Sequence, residues 1–465
     1  MKFIFAVIGG LLAAASVLAT LWKPSYPDER IELIWCTSDN PVCRRQIAVF
    51  NEMQDTYRVI VDPQPTTIAK TAVQCIAGVG PDLMDAWTPT QLYIFVRAGM
   101  ALDLTDAFAS RGISAESFWP VSRTTIECDG RIYGHPANVH APVMWINKKI
   151  FRENHIPLPA DDWTWDECIA IAKRLTQYRP DGRIKHFGLV LDHQDWRDIF
   201  LPQFGARMYN DAGTRCMLDS PEAAEAMQFY QDFIHKHRVS PDRNAAMNLA
   251  SQGGFGTEKS ISMFASGMGA MAPGGRWWLC IMRDKAYKDL ELTAVQLPKG
   301  RVPEVYGTAR ATLVNKAGRN IEGALQFIEF MHSETFNRLV NEEADALAPV
   351  VAYHYPPHEE HFLHNPAFPA EDYHLEFREA MEHAVPNHVS PFVSGEREMQ
   401  LLIVVEDLIF GNLKTGAEAM RDCATELNKS IMETLRESPE QLQRYRSLVD
   451  AGAQPAWDDP ADAPW

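Results

Sequence analysis

Positive charge is scarce in this chain. Lys and Arg total 44 against 61 Asp and Glu, a formal balance of −17 over 465 residues. No Lys/Arg-rich run and no nucleic-acid motif offsets that deficit. So negative a surface repels phosphates and anionic lipids at long range, which excludes nucleic acid and points to a neutral or cationic partner. The sequence also lacks a G-x-S-x-G elbow, a phosphate-binding P-loop and an H-E-x-x-H site; His358-Glu359-Glu360-His361 is one residue too short. Carboxylates are abundant, but a sequence supplies no spatial pair at glycosidase separation. The chain therefore reads as a non-enzyme with no catalytic residue and no cofactor. Its eight cysteines form neither a CxxC pair nor a zinc-ribbon pattern. An even count permits disulfides in an exported protein, with the pairing open. Seven histidines crowd between His354 and His388, but Pro356, Pro357 and Pro366 break regular ligand spacing. A hydrated loop is expected there, not a metal site.

Long apolar runs are absent with one exception. Phe3 to Leu21 carries no charged residue; at about 1.5 Å per residue it approaches the ~30 Å hydrocarbon thickness of a bilayer. Residues 1–22 read either as a signal peptide, with Val17 and Ala19 as tolerable small residues before a cut, or as an uncleaved N-terminal membrane anchor. Both place the remainder outside the cytoplasm, in the periplasm or at the cell surface. Cys36 lies too far downstream for a lipoprotein anchor.

What is present is ordinary globular material: 46% apolar and 23% charged residues, with 12 Trp, 13 Tyr and 22 Phe for a large core and an aromatic cleft. The length predicts two or three structural units. A strand over 31–35, a helix through Phe50, a strand over 57–61, a helix over 68–76 and a strand over 83–87 form a βαβαβ opening. That order predicts a parallel sheet, with ligands gathering at the loops 36–41 and 86–91 beyond its strands. Gly130 to Gly134 reads as a hairpin edge. Thr164 and Glu167 form a capping box. Helices are expected from Ile321 to about Val340, over 398–410 and over 417–436, followed by a loose Pro/Asp-rich tail from Gln454.

The order of motifs resembles the sugar-binding type of extracellular solute-binding protein, the maltose-binding-protein-like receptors of ABC importers. The resemblance runs from about 31 to 435. It rests on Ala77-Gly-Val-Gly-Pro-Asp82, Gly99-Met-Ala-Leu-Asp-Leu104, Gly130-Arg-Ile-Tyr-Gly-His-Pro136, Met144-Trp-Ile-Asn-Lys-Lys-Ile-Phe151 and Trp163-Thr-Trp-Asp-Glu167. Gly267-Met-Gly-Ala-Met271, Gly274-Gly-Arg-Trp277 and Leu347-Ala-Pro349 complete the series. It implies an α/β, two-lobed periplasmic-binding-protein fold of type II, with a hinge and an interlobe ligand cleft. By that analogy lobe one holds 28–137 and 306–350. Lobe two holds 138–305 with the C-terminal helices of 351–440, and 441–465 is a tail. The implied function is a monomeric receptor that captures a neutral sugar or oligosaccharide and delivers it to the permease of an ABC transporter. A peptide receptor, a metal-binding receptor and a sensor without a transporter are the alternatives.

Sugars offer apolar C–H faces and a rim of hydroxyls, so a receptor needs aromatic plates and polar side chains. Carried over motif by motif, the resemblance implies ligand contacts at Asp39, Trp87, Asn138, His140, Asp195, Trp196, Gly275 and Trp277. His140 departs from the acidic residue that related receptors can carry there. The glycines before Trp277 allow close backbone approach, and Trp278 is expected to point away.

Overall fold

The computed structural model describes residues 29–62, 68–242, 245, 259–284, 287–459 and 462–464. The apolar stretch on which the signal-peptide or anchor reading rests lies outside them. Among the described residues no helix is long and apolar enough to cross a membrane.

Thirteen strands are described: β1 (Ile31–Cys36), β2 (Tyr57–Asp62), β3 (Leu83–Ala86), β4 (Glu127–Cys128), β5 (Arg131–Ile132), β6 (Gly134–His140), β7 (Val143–Asn147), β8 (Gln177–Tyr178), β9 (Ile184–Leu189), β10 (Gly269–Gly274), β11 (Leu292–Val295), β12 (Val305–Val314) and β13 (Ala384–Pro386). β1 pairs in parallel with both β2 and β3, because the helices Pro41–Met53 and Ile68–Ile76 carry the chain back each time. The first of these helices starts at Asn40, whose side chain accepts the Cys43 N–H, with Pro41 in the first turn. β12 then pairs antiparallel with β3 and β6, and parallel with β13. The resulting sheet runs β13-β12-β3-β1-β2, with β6 also on β12.

A second sheet runs β11-β7-β10-β9-β8. The chain passes from the first sheet to the second at Ala141-Pro142 and returns between Val295 and Val305. The resemblance puts the first passage at 137–138. Strand pairing moves it later, because His140 still opposes Thr308. The segment after 350 is also not confined to the second sheet, since Ala384 to Pro386 pair with Val305 to Gly307.

Each sheet carries its own core. Around the first, Trp35 and Phe50 both pack on Phe327 at 5.1 Å between ring centroids; in the second, Trp165 packs on Phe200 at 4.8 Å. Such pairs add about 0.5–1.5 kcal/mol each beyond the area they bury. The hairpin between β4 and β5 turns on Asp129 and Gly130, both at positive φ, as a two-residue turn matching strand twist requires. The capping box at Thr164 and Glu167 is present.

The helix expected from Ile321 to Val340 is instead two, Ile321–His332 and Glu334–Glu343. Ser333 leaves the helical region (ψ 158°), and its hydroxyl accepts the Phe336 N–H to start the second. The C-terminus also differs from a loose tail. A helix forms over Pro439–Asp450. The Gln454 carbonyl then accepts the Thr214 hydroxyl at 2.6 Å, and Asp458 pairs with Arg215 at 2.7 Å. These partners lie some 240 residues upstream, so only tertiary packing reveals them.

Candidate functional site

The parallel strands end where β3 delivers Asp85 and Trp87 to one face. Asp85 is buried and accepts three hydrogen bonds: from Trp35 Nε1 at 2.8 Å, Thr37 Oγ1 at 2.5 Å and Thr312 Oγ1 at 2.7 Å. Beside it Arg310 donates to Asp345 Oδ2 at 2.8 Å and stands 3.8 Å from Asp85. Burial alone would lower the Arg310 pKa; Asp345, then Cys43 and Asp85, more than offset it and keep the guanidinium charged. This enclosed network fixes the ends of β1, β3 and β12 together. Trp87 emerges from it half-buried, its N–H donating to Gln91 Oε1 at 2.7 Å. Thr88 caps the next helix, Pro89–Arg97.

On the second sheet, β10 ends in Gly274-Gly275-Arg276-Trp277-Trp278. A Cβ on Gly274 would meet the Trp278 indole at 2.6 Å, and one on Gly275 would meet Trp277 Cδ1 at 2.6 Å. The glycines therefore make room for the two indoles, a role different from the expected approach to a ligand. Trp278 is buried in the core, and Trp277 is half-buried. His140, the last residue of β6, places Nδ1 3.4 Å from where a Gly275 Cβ would stand. That nitrogen is enclosed and has no hydrogen-bond partner among the described residues. Burial lowers the His140 pKa, with Asp198 opposing, which keeps the imidazole neutral. His140, Gly275 and Trp277 thus converge where the chain passes between the sheets.

The remaining sequence-derived candidates scatter. Asn138 is buried on β6 opposite Arg310. Asp195 is buried, and its Oδ2 accepts the Asp192 N–H at 2.6 Å. Burial, then Asp192, raises its pKa well above the usual range; this carboxyl folds its own loop. Trp196 is 1% exposed inside the second core. It presents no free face, because the five-residue turn Trp196–Phe200 is wound against that core. Asp39 forms a two-point pair with Arg44 at 2.5 and 2.8 Å. It lines a shallow recess of about 410 Å³ with Ile47, Asn51 and Arg58, and none of the other candidates lines that recess.

Three residues went unnoticed in the sequence. Arg310 is the one charged residue of β12, Val305–Val314, which is a usable signal. Arg276 directly follows the glycine pair. Glu398, on the helix Gly395–Phe410, accepts from Thr90 Oγ1 at 3.1 Å and from Tyr209 at 2.7 Å; nothing local separates it from other helix acids. No group of three or more His, Cys, Asp or Glu suited to a metal occurs among the described residues.

Comparison with known proteins agrees with this architecture. Residues 45–360 match the model of the family described as bacterial extracellular solute-binding protein. The arabinooligosaccharide-binding protein of Halalkalibacterium halodurans is 28% identical over 114 residues, 24% of each chain, so the match spans about a quarter of that relative. An ABC substrate-binding protein of Listeria monocytogenes, solved with cycloalternan, superposes with a TM-score of 0.73 at 18% identity, covering 87% of this chain and 99% of that one. Maltose-bound MalE3 of T. maritima gives 0.67 at 20% identity, over 85% and 99%. The fold is accordingly the two-lobed, α/β solute-binding architecture. With the family match covering most of its length, the chain belongs to the bacterial extracellular solute-binding protein family.

Proposed function

We propose that this protein is an extracytoplasmic receptor that captures a neutral sugar or oligosaccharide between its lobes and hands it to an ABC importer. The observation that carries the reading is the convergence of His140, Gly275 and Trp277 at the passage between the sheets. An indole face and a neutral imidazole suit C–H surface and hydroxyls, and they impose no charge requirement on the ligand. Trp87 supplies a second aromatic on the other lobe. The bound sugars of the structural neighbours support the same class. Lobe one takes the chain up to the passage at Ala141-Pro142 and again over 306–350; lobe two takes the intervening segment and most of the C-terminal helices. Closure about the connecting strands would bring both aromatics onto one ligand. Of the eight sequence-derived contacts, His140, Trp277 and Trp87 are retained, with Gly275 making room for the Trp277 indole.

Titration of intrinsic fluorescence and X-ray scattering, with a panel of malto-, arabino- and other neutral oligosaccharides, tests this. The expected result is a saturable fluorescence change and a smaller radius of gyration with at least one sugar. No response to the panel, with binding of peptides in equilibrium dialysis, would replace the sugar reading by a peptide one.

A further inference from the structure

We propose that Arg276 is a positioning residue that fixes the Trp277 plate against the segment joining lobe one to the C-terminal region; the functional meaning of that plate rests on the sugar-receptor reading above. Arg276 is 1% exposed and, among the described residues, has no carboxylate partner within pairing distance. Its donors go elsewhere: Nη1 to the Ala346 carbonyl at 2.8 Å, Nη2 to the Asn341 carbonyl at 2.7 Å and Nε to His374 Nδ1 at 3.2 Å. The guanidinium lies 5.0 Å over the Phe362 ring. Burying a cation on two carbonyls, an imidazole nitrogen and a ring face is costly, and burial, followed by the nearby Arg283 and opposed by Glu371, lowers its pKa to about 9. An arrangement this expensive at a chain passage has a positional use: a fork of fixed geometry locks three points at once, where a flexible ammonium would lock one.

The carbonyls it grips belong to an unusual stretch. Ala344 and Ala346 both adopt left-handed backbone, φ 59° and 62°, a conformation alanine avoids. Asp345 between them is held by Arg310 of β12. Leu347 exchanges two backbone hydrogen bonds with Val139 of β6, next to His140. Residues 341–347 are thereby tied to both strands of lobe one that meet at the passage, and Arg276 ties the end of β10 to them. Trp277 follows immediately, so the backbone that carries its indole, just beyond β10, is anchored at the 341–347 segment where the two sheets meet.

The test uses the full chain carrying 5-fluorotryptophan, without ligand; Trp277→Phe identifies the Trp277 fluorine signal among the twelve. In Arg276→Lys the Trp277 fluorine relaxation rate should change at least about twofold while the other eleven signals stay put. Arg283→Lys is the control: it bonds the same region through Glu342 and Glu371 and should lower thermal stability without affecting Trp277. His374→Phe, distant in sequence, removes one of the three bonds and should shift Trp277 relaxation in the same direction by less. Unchanged Trp277 relaxation in folded Arg276→Lys, or an equal change in Arg283→Lys, overturns the proposal. If Arg276→Lys does not fold, the absence of any effect in His374→Phe overturns it. Because no ligand is added, a failed sugar panel leaves this result standing, and failure here leaves the sugar reading untouched.

Discussion

Glu398 Oε1 accepts a hydrogen bond from the hydroxyl of Thr90 at 3.1 Å, joining positions 308 residues apart in the chain. Its other oxygen accepts the phenol of Tyr209 at 2.7 Å, so one buried carboxyl spans from the helix Pro89–Arg97 to the loop that carries Tyr209. Gly395 sits at the same contact, where a Cβ would meet Thr90 Cγ2 at 2.3 Å.

That contact should be visible in the pH dependence of stability. Burial raises the Glu398 pKa, against the pull of Tyr209, Thr90 and Arg197, so the folded protein takes up this proton at higher pH than the unfolded chain. The linked stability is fully present below the ordinary glutamate value of about 4.3 and is lost as pH rises through the raised one. Glu398→Gln has no proton to lose. Its melting temperature relative to wild type should therefore climb as pH increases from about 4.5 toward neutrality; a difference that stays flat across that window would refute the assignment.

Trp277→Ala should weaken binding of any panel sugar by about 10- to 100-fold, since a plate plus its neighbouring hydrogen bonds supplies about 1–3 kcal/mol. The ring is half-buried and packs partly on the second core, so a modest fall in melting temperature should accompany the loss. Isothermal titration on the folded fraction separates the two. Unaltered affinity would remove Trp277 from the site.

Trp196→Ala and Asp39→Ala should fail as binding variants for opposite reasons. Deleting a fully buried tryptophan costs about 3–5 kcal/mol, so the first should lose most of its urea midpoint while each folded molecule keeps its affinity. The second breaks only an exposed ion pair with Arg44 and should leave both melting temperature and affinity unchanged. A specific affinity loss in either would restore that residue to the site.

Ala344→Gly should raise stability by about 0.5–1 kcal/mol, because glycine relieves the left-handed strain at φ 59° at some cost in unfolded-state entropy. Urea denaturation reads this directly. A destabilised variant would mean that the buried Ala344 methyl group contributes more packing than its backbone loses to strain.

The sequence alone was enough for the class of molecule. Hydrophobic periodicity placed β1 to β3 and their two helices within a residue or two at most boundaries, since each is a local pattern of apolar residues closed by Asn40, Pro41 or the Gly78-to-Pro81 turn. The ordered motifs carried the family. What the sequence could not separate were two tryptophans in similar contexts. Trp196 and Trp277 both follow loop residues, yet one is sealed in a core and the other stays half-buried beside Gly275, near which His140 also lies. That difference depends on which face long-range packing covers, and no local pattern encodes it. The same holds for Glu398, for the Arg310–Asp85–Asp345 network and for Arg276, whose partners lie from 35 to more than 300 residues away. Strand and helix follow from neighbours along the chain, whereas a binding site consists of residues that only the completed fold brings together.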